Sequence, residues 1–394
     1  MAVLLLCAAA NQLWSARLWG HESFQMTEWL INYSGGFVRR GLAGTLFMFL
    51  SETTGLHANH IAIAVSAISY FILVIWLLRR AAPSTPAMLI LSCVLVGFPA
   101  YQDGIVRKDC LGLLSLVLCS SLAIANGKTT MRMIGINAAA CLAILIHETW
   151  AFYSIPALVL LRRPSDERVT ASKVFLRSAG MIPALSCFGL VAMYHGTPEV
   201  AKAIHQSWMP LWQSIGPTVN VPETPTAAIE GIGWTSQQGM HLSLYLFQTG
   251  LYQPMAWLMV IIISFFLCVW FHGRDETGEA ALTGSKSVIA GLLVFQFAWI
   301  SPLFLLGVDW GRWLFFWLVS SVILRTLGYR SPQWMEDLTA RLLRALRMDA
   351  FFSRFRAPDW ILLLFGFPVC WSMLNFVTAG PLPRHLYTVF STLR

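Results

Sequence analysis

Residues 254–271 read PMAWLMVIIISFFLCVWF, eighteen residues with no charged side chain and a single serine. Wound as a helix at about 1.5 Å per residue, such a run nearly crosses the ~30 Å hydrocarbon core of a bilayer. Similar apolar runs recur at about 2–19, 41–56, 60–78, 86–101, 110–125, 133–147, 149–161, 176–194, 288–308, 312–328 and 358–378. The composition agrees with them: 57% of the 394 residues are hydrophobic, 12% are charged, and the mean hydropathy is +0.63. A water-soluble domain of this length needs far more polar surface. The expected fold is an all-α polytopic membrane bundle, one domain over 1–394, with about eleven transmembrane helices.

A formal net charge of +8 would suit nucleic acid in a soluble protein. Here the basic residues stand at the ends of apolar runs, as membrane topology places them, and no nucleic-acid partner is expected. Eight cysteines are scattered in or beside apolar runs without a CxxC pair or a Cys/His metal spacing, so they read as small core residues. The start, MAVLLLCAAANQLW, lacks a basic n-region and reads as a first transmembrane helix rather than a cleaved signal peptide.

Most Lys and Arg fall in five connections: Arg79 and Arg80; Lys128 and Arg132; Arg162 to Arg177; Arg274 and Lys286; Arg325 to Arg356. By the positive-inside rule these are cytoplasmic. Both ends of 133–161 are then inside, so this stretch is expected to be a tight hairpin of two short legs with its tip at His147 and Glu148. Residues 37–56 read as a short or interfacial helix on the outer side. The N-terminus is expected inside and the C-terminus outside. Residues 195–253, rich in Pro, Gly and Trp, form an outer loop long enough to fold over a site as a lid. Residues 333–356 set Trp334, Leu338, Leu342 and Leu346 at helical spacing against a basic face, the pattern of an amphipathic interfacial helix.

With the loops sorted, the outer ends of the spans carry charges that topology does not require. HESFQMTEWLINYSGGFVRRGLAG (21–44) joins Glu22 and Glu28 to a flexible SGG turn and to Arg39 and Arg40 at a helix start. Arginine grips phosphate in a planar, bidentate way, and glycine-freed amides at a helix start add to such a site. The competing reading is that these arginines snorkel to lipid headgroups. YQDGIVRKDC (101–110) packs Asp103, Arg107, Lys108 and Asp109 into one short turn; capping of the next helix accounts for Asp109 but not for Arg107 or Lys108.

LAILIHETWAFYSIP (142–156) puts His147 and Glu148 at the hairpin tip, where ionisable groups near membrane depth are paired or functional. LLGVDWGRWLFFW (305–317) sets Asp309 and Arg312 three apart, with Trp310 between them. Trp belongs to interface belts, and its face also stacks on sugar rings. The expected substrate contacts are therefore Arg39, Arg40, Asp103, Arg107, Lys108, Asp109, Trp310 and Arg312. Glu28, Glu148 or Asp309 is the expected base, with His147 as an alternative or as its orienting partner. Hydrolase, zinc-protease, Walker A and dinucleotide motifs are absent, and no metal ligands or cofactor are expected.

Arginines, carboxylates and a histidine at the edge of a bilayer suit a substrate that is half lipid and half polar, such as a polyprenyl-pyrophosphate-linked sugar. SGGFVRRGLAG, RKD, HE and DWGRW, in this order, resemble the bacterial polytopic proteins of surface-polysaccharide assembly, the Wzy-type O-antigen polymerases and EpsG-like proteins. The resemblance implies transfer of an undecaprenyl-pyrophosphate-linked glycan at the periplasmic face of the inner membrane, for O-antigen, capsule or exopolysaccharide, with outer arginines essential. It also implies partnership with other polysaccharide-assembly membrane proteins. The chain is also similar to GT-C glycosyltransferases, which carry an acidic residue in the first outer loop; Glu22 and Glu28 stand there, in no DxD arrangement. That resemblance implies a polyprenyl-phosphate sugar donor and allows a divalent metal. A transporter or flippase of lipid-linked saccharide is the alternative from another class, though the charges gather at one face and no inverted repeat is visible.

Overall fold

The computed structural model of the chain describes residues 1–17, 23–81, 85–102, 104–213, 224–249, 254–272, 279–355, 358–362, 369–371 and 377–379. The chain opens with α1 (Ala2–Ala16), and a short α2 (Phe24–Leu30) follows. Ser23 caps α2 by accepting from the Met26 N–H at 3.3 Å. Next come α3 (Gly41–Thr54) and α4 (Ala58–Arg80), the latter ending on Arg79 and Arg80, where cations meet the negative end of the helix dipole.

The apolar run at 86–101 is expected to be one crossing, and the structure breaks it. Two five-residue helices, α5 (Ala87–Leu91) and α6 (Gly97–Tyr101), flank a turn at 92–96. The Gly97 N–H donates to the Ser92 carbonyl at 3.0 Å. A Cβ on Gly97 would stand 2.3 Å from the Leu91 carbonyl oxygen, so only glycine allows the chain to fold back so closely. This irregular backbone is buried inside protein, the condition under which non-helical chain is tolerated at membrane depth.

α7 (Asp109–Ile124) leads into α8 (Thr129–Ile146) and α9 (Trp150–Leu160), the two helices of the 133–161 stretch, with His147 to Thr149 between them; α8 alone is long and apolar enough to cross a bilayer. The run at 176–194 becomes α10 (Ala171–Gly180) and α11 (Ile182–Met193), bent by 62° where Pro183 restarts the helix.

The described part of the loop that follows is largely helical: α12 (Pro198–Ser207), α13 (Met209–Gln213), α14 (Ala227–Glu230) and α15 (Ser236–Gln248), the last opened by a Thr235/Gln238 capping box. Then come α16 (Pro254–Phe271), α17 (Glu279–Leu306), α18 (Trp310–Thr326), α19 (Gln333–Ala345) and α20 (Met348–Arg354). Two three-residue strands, β1 (Val369–Trp371) and β2 (Val377–Ala379), pair antiparallel. Most of the expected run at 358–378, residues 363–368 and 372–376, lies outside the described residues.

Among the described residues four helices are long and apolar enough to cross a bilayer, α4, α8, α16 and the 285–306 part of α17, with a fifth if bent α10 and α11 form one span. α1, α7 and α9 are shorter apolar helices. The structure is thus that of a helical protein suited to a membrane, with fewer full-length spans than the sequence leads one to expect.

α7, α9 and α18 pack together and start at the same end of the bundle. At their far end, the Tyr329 hydroxyl donates to the Ser120 carbonyl at 3.1 Å and Arg163 Nη1 to the Ala123 carbonyl at 3.1 Å. Arg162 and Arg330 exchange backbone hydrogen bonds of 2.9 and 3.0 Å. Both also hold Glu336 of α19 through 2.8 Å ion pairs, so α19 is bolted to this end by charge. Its Trp334, Leu338 and Leu342, with Leu346 just past its end, are exposed on the other face, and the stretch expected as one helix over 333–356 breaks at Arg347, which takes φ +54° between α19 and α20.

A second, smaller core lies at the near end. Met26, Trp29 and Leu30 of α2 pack there against Ile204, Trp208, Trp212, Ile229 and Ile232 of the 195–253 segment. Trp208 Nε1 donates to the Leu30 carbonyl at 2.9 Å and the Ala228 N–H to Thr27 Oγ1 at 3.2 Å. The segment is therefore seated on α2.

Candidate functional site

Four segments meet beneath that cover. α2 turns Glu28 inward, where it is completely buried. The chain then reverses: Asn32 Oδ1 accepts from the Ser34 N–H at 2.9 Å, Gly36 takes φ +105°, and Arg40 takes φ +66°. A left-handed conformation is uncommon for a residue with a side chain, and here a contact on its carbonyl holds it. Lys108 Nζ donates to the Arg40 carbonyl at 3.2 Å, and the Tyr33 ring fills the space where a Cβ on Gly41 would stand.

Arg312, in the first turn of α18, is the hub. Its Nε and Nη2 form a fork on Asp109 at 2.9 and 2.6 Å, and Nη1 donates to Asp309 at 2.7 Å. Its Nη2 also stands 3.5 Å from Glu28 Oε1 and 3.1 Å from His147 Nε2. Arg40 forms a second fork, on Glu148, with Nη2–Oε1 2.6 Å and Nε–Oε2 2.9 Å, and its Nη1 lies 3.4 Å from Glu28. Arg39 is 3.9 Å from Glu148 and donates from Nη2 to the Gly231 carbonyl at 3.0 Å, tying the cover to the rim of the cluster.

Arg107 is only 2% exposed, yet its nearest carboxylates are Glu28 at 3.6 Å and Asp309 at 3.9 Å. Among the described residues its Nε and Nη1 have no hydrogen-bond acceptor. Buried guanidinium donors are normally satisfied, so this one marks unused capacity for an anion.

His147 is held from one side: Thr149 Oγ1 is 2.7 Å from Nδ1. Its Nε2 lies 3.0 Å from Glu28 Oε1 and close to Arg312. Nε2 either carries a proton and donates it to Glu28, or lacks one and accepts from Arg312. Glu28 and His147 are thus placed to pass a proton between them.

Arg39, Arg40, Arg107, Lys108, Asp109, His147, Glu148, Asp309, Arg312 and Glu28 are brought together, from four stretches far apart in sequence. Trp310 is packed elsewhere. Its ring lies 5.4 Å from Phe304 and 5.8 Å from Trp257, and its Nε1 donates to the Phe304 carbonyl at 3.0 Å, so it belongs to an aromatic wall. Asp103 and Glu22 lie outside the described residues.

Thr149, Trp29 (5.6 Å from Lys108 Nζ) and Gly231 were not singled out by sequence. Only Thr149, two residues after His147, carries a local signal for its role. Among the described residues no group of three or more His, Cys, Asp or Glu side chains is placed to hold a metal ion; the carboxylates here face guanidiniums instead.

Among the described residues five basic side chains confront four carboxylates. Buried charge tends toward compensation, and the surplus cation with the unfilled donors of Arg107 makes the cluster receptive to an anion. No family model, no curated protein and no solved structure matches the chain.

Proposed function

We propose that this chain is a membrane-embedded glycosyl-transfer enzyme, of the polysaccharide-polymerase kind, that uses undecaprenyl-pyrophosphate-linked saccharides. The observation that carries the reading is the convergence of Arg40, Arg107 and Arg312 on the Glu28–His147 pair, with Arg39 beside them on Glu148 and, among the described residues, one cation in excess and donors of buried Arg107 unfilled. In the reaction, the bond between the anomeric carbon and pyrophosphate oxygen breaks and the acceptor hydroxyl oxygen bonds to that carbon. A carboxylate, Glu28, Glu148 or Asp309, takes the hydroxyl proton, with His147 beside it. The arginines stabilise the charge that gathers on the departing pyrophosphate.

This reading includes the topology. The shorter helices α1, α7, α9 and α18, with the four of full length and the bent α10–α11 pair, supply nine of the about eleven crossings of this reading; the N-terminus is inside, the C-terminus outside, and the cluster faces the periplasm of a bacterial inner membrane. Other polysaccharide-assembly membrane proteins are the expected partners. A GT-C-type transferase using a polyprenyl-phosphate sugar is the second reading, favoured by the central place of Glu28, an acid in the first outer segment.

The test is an elongation assay with purified protein in lipid nanodiscs and a lipid-linked oligosaccharide, products resolved by gel. Wild type is expected to build a ladder, and Arg40→Ala and Arg312→Ala to slow it at least about 100-fold, the scale of losing an electrostatic stabiliser of the transition state. Addition of one sugar from a polyprenyl monophosphate donor would instead identify the second reading. Translocation of the lipid-linked saccharide without new glycosidic bonds would sink both.

A further inference from the structure

We infer that Glu148 is an internal occupant of the anion site: its carboxylate fills the Arg40 fork in the resting protein, and a pyrophosphate-bearing ligand binds by displacing it. The inference rests on the reading that the cluster takes a pyrophosphate, and it adds how the site opens.

Position comes first. Glu148, Arg40 and Arg39 are the accessible rim of the cluster, their side chains 15%, 17% and 27% exposed, whereas Glu28, Arg107 and Arg312 behind them are at most 2% exposed. An anion arriving at the cluster meets the rim first. There it finds the best bidentate donor already taken, with Arg40 Nη2 and Nε at 2.6 and 2.9 Å from the Glu148 oxygens. A phosphate presents the same pair of acceptor oxygens to the same fork, with more charge and further oxygens left for Arg39.

The two partners differ in what holds them. The Arg40 backbone is pinned in its left-handed conformation by Lys108 on its carbonyl. The described side-chain partners of Glu148 are Arg40, Arg39 and, at 4.0 Å, His147 Nδ1. It sits in the three-residue turn between α8 and α9. Exchange therefore moves a carboxylate and leaves the arginine in place. The displaced Glu148 is then a free base next to His147, so donor binding and base release are one event.

The test measures inorganic pyrophosphate binding to the full-length protein in phosphatidylcholine nanodiscs by calorimetry. Glu148→Gln, which keeps the shape and removes the charge, is expected to bind pyrophosphate at least about 10-fold tighter than wild type. The gain is expected to vanish in the Arg40→Ala/Glu148→Gln double variant, because it flows through that fork. Equal or weaker binding by Glu148→Gln overturns the inference, as does failure of both proteins to bind. If Glu148→Gln does not fold, Glu148→Asp serves: its shorter arm cannot hold both donors of the fork, and it should bind pyrophosphate more tightly than wild type. A protein that shows this displacement yet makes no polymer would defeat the transfer reading alone. One that makes polymer without it would defeat only the role given to Glu148.

Discussion

Glu28 faces three guanidiniums and an imidazole at 3.0 to 3.6 Å while wholly removed from solvent. Neutralising it leaves those cations buried with less to compensate them, which is worse than losing an exposed ion pair. Removing one partner of a buried pair costs about 3–5 kcal/mol. Glu28→Gln is therefore expected to lower the unfolding free energy in detergent by about that much and to abolish turnover. A change below about 1 kcal/mol, the range of exposed pairs, would show that Glu28 is not the electrostatic centre. Thr149→Val has a different signature. The hydroxyl orients His147 through Nδ1, so its loss should cost about 1 kcal/mol of stability and reduce kcat more than it raises KM.

Asp166 does for the far end what Glu28 does for the near one. It accepts from the Arg163 N–H at 2.9 Å and Lys173 Nζ at 3.1 Å, and it pairs with Arg177, so it locks the 161–170 turn onto α10. Burial pushes this carboxyl up, but the hydrogen bonds from Arg163, Arg177 and Lys173 outweigh burial and hold it below its ordinary value. Because the folded pKa is depressed, the contribution is complete above the unfolded aspartate value of about 3.9 and is lost as pH falls through the folded value. Thermal melts in detergent should therefore show Asp166→Asn below wild type at pH 7, with the gap closing as the pH falls below about 4. A gap that stays constant with pH would remove the charge from the account.

The same scale shows what could be read from sequence. Hydropathy alone locates α16 at 254–271 and the two helices α8 and α9 within 133–161, because these are set by the length of apolar chain between polar residues. It misses the break at 92–96, where the decisive facts are the Ser92 turn and the 2.3 Å approach that only Gly97 tolerates. It also misses the 62° bend at Met181–Pro183. The charged residues of the cluster stood out because topology did not need them. Their pairing, Arg312 with Asp109 across 203 positions and Arg40 with Glu148 across 108, has no local signal.

The bundle is charged at both ends, and the helices joining those ends are short. α9 has 11 residues, α7 has 16 and α18 has 17, so their axes run only about 16 to 26 Å. A bilayer core is ~30 Å thick. If the Arg162–Glu336 end lies at the inner surface, the Glu28–Arg312 cluster sits below the outer one, next to the segment seated on α2. That arrangement makes the two ends distinguishable by chemistry. In a Cys7→Ser background, which removes an exposed thiol, single cysteines replace exposed Lys128 and Arg341 near the far end and exposed Glu199 on α12. In spheroplasts, a membrane-impermeant maleimide should label Glu199→Cys and spare Lys128→Cys and Arg341→Cys until the membrane is opened. Arg107→Cys, at a position 2% exposed, should stay unlabelled from outside and become reactive when Trp208→Ala loosens the cover from the Leu30 carbonyl. Labelling of Lys128→Cys and Glu199→Cys from the same side would mean that the charged ends do not face opposite compartments. The cluster would then have no outer substrate to meet.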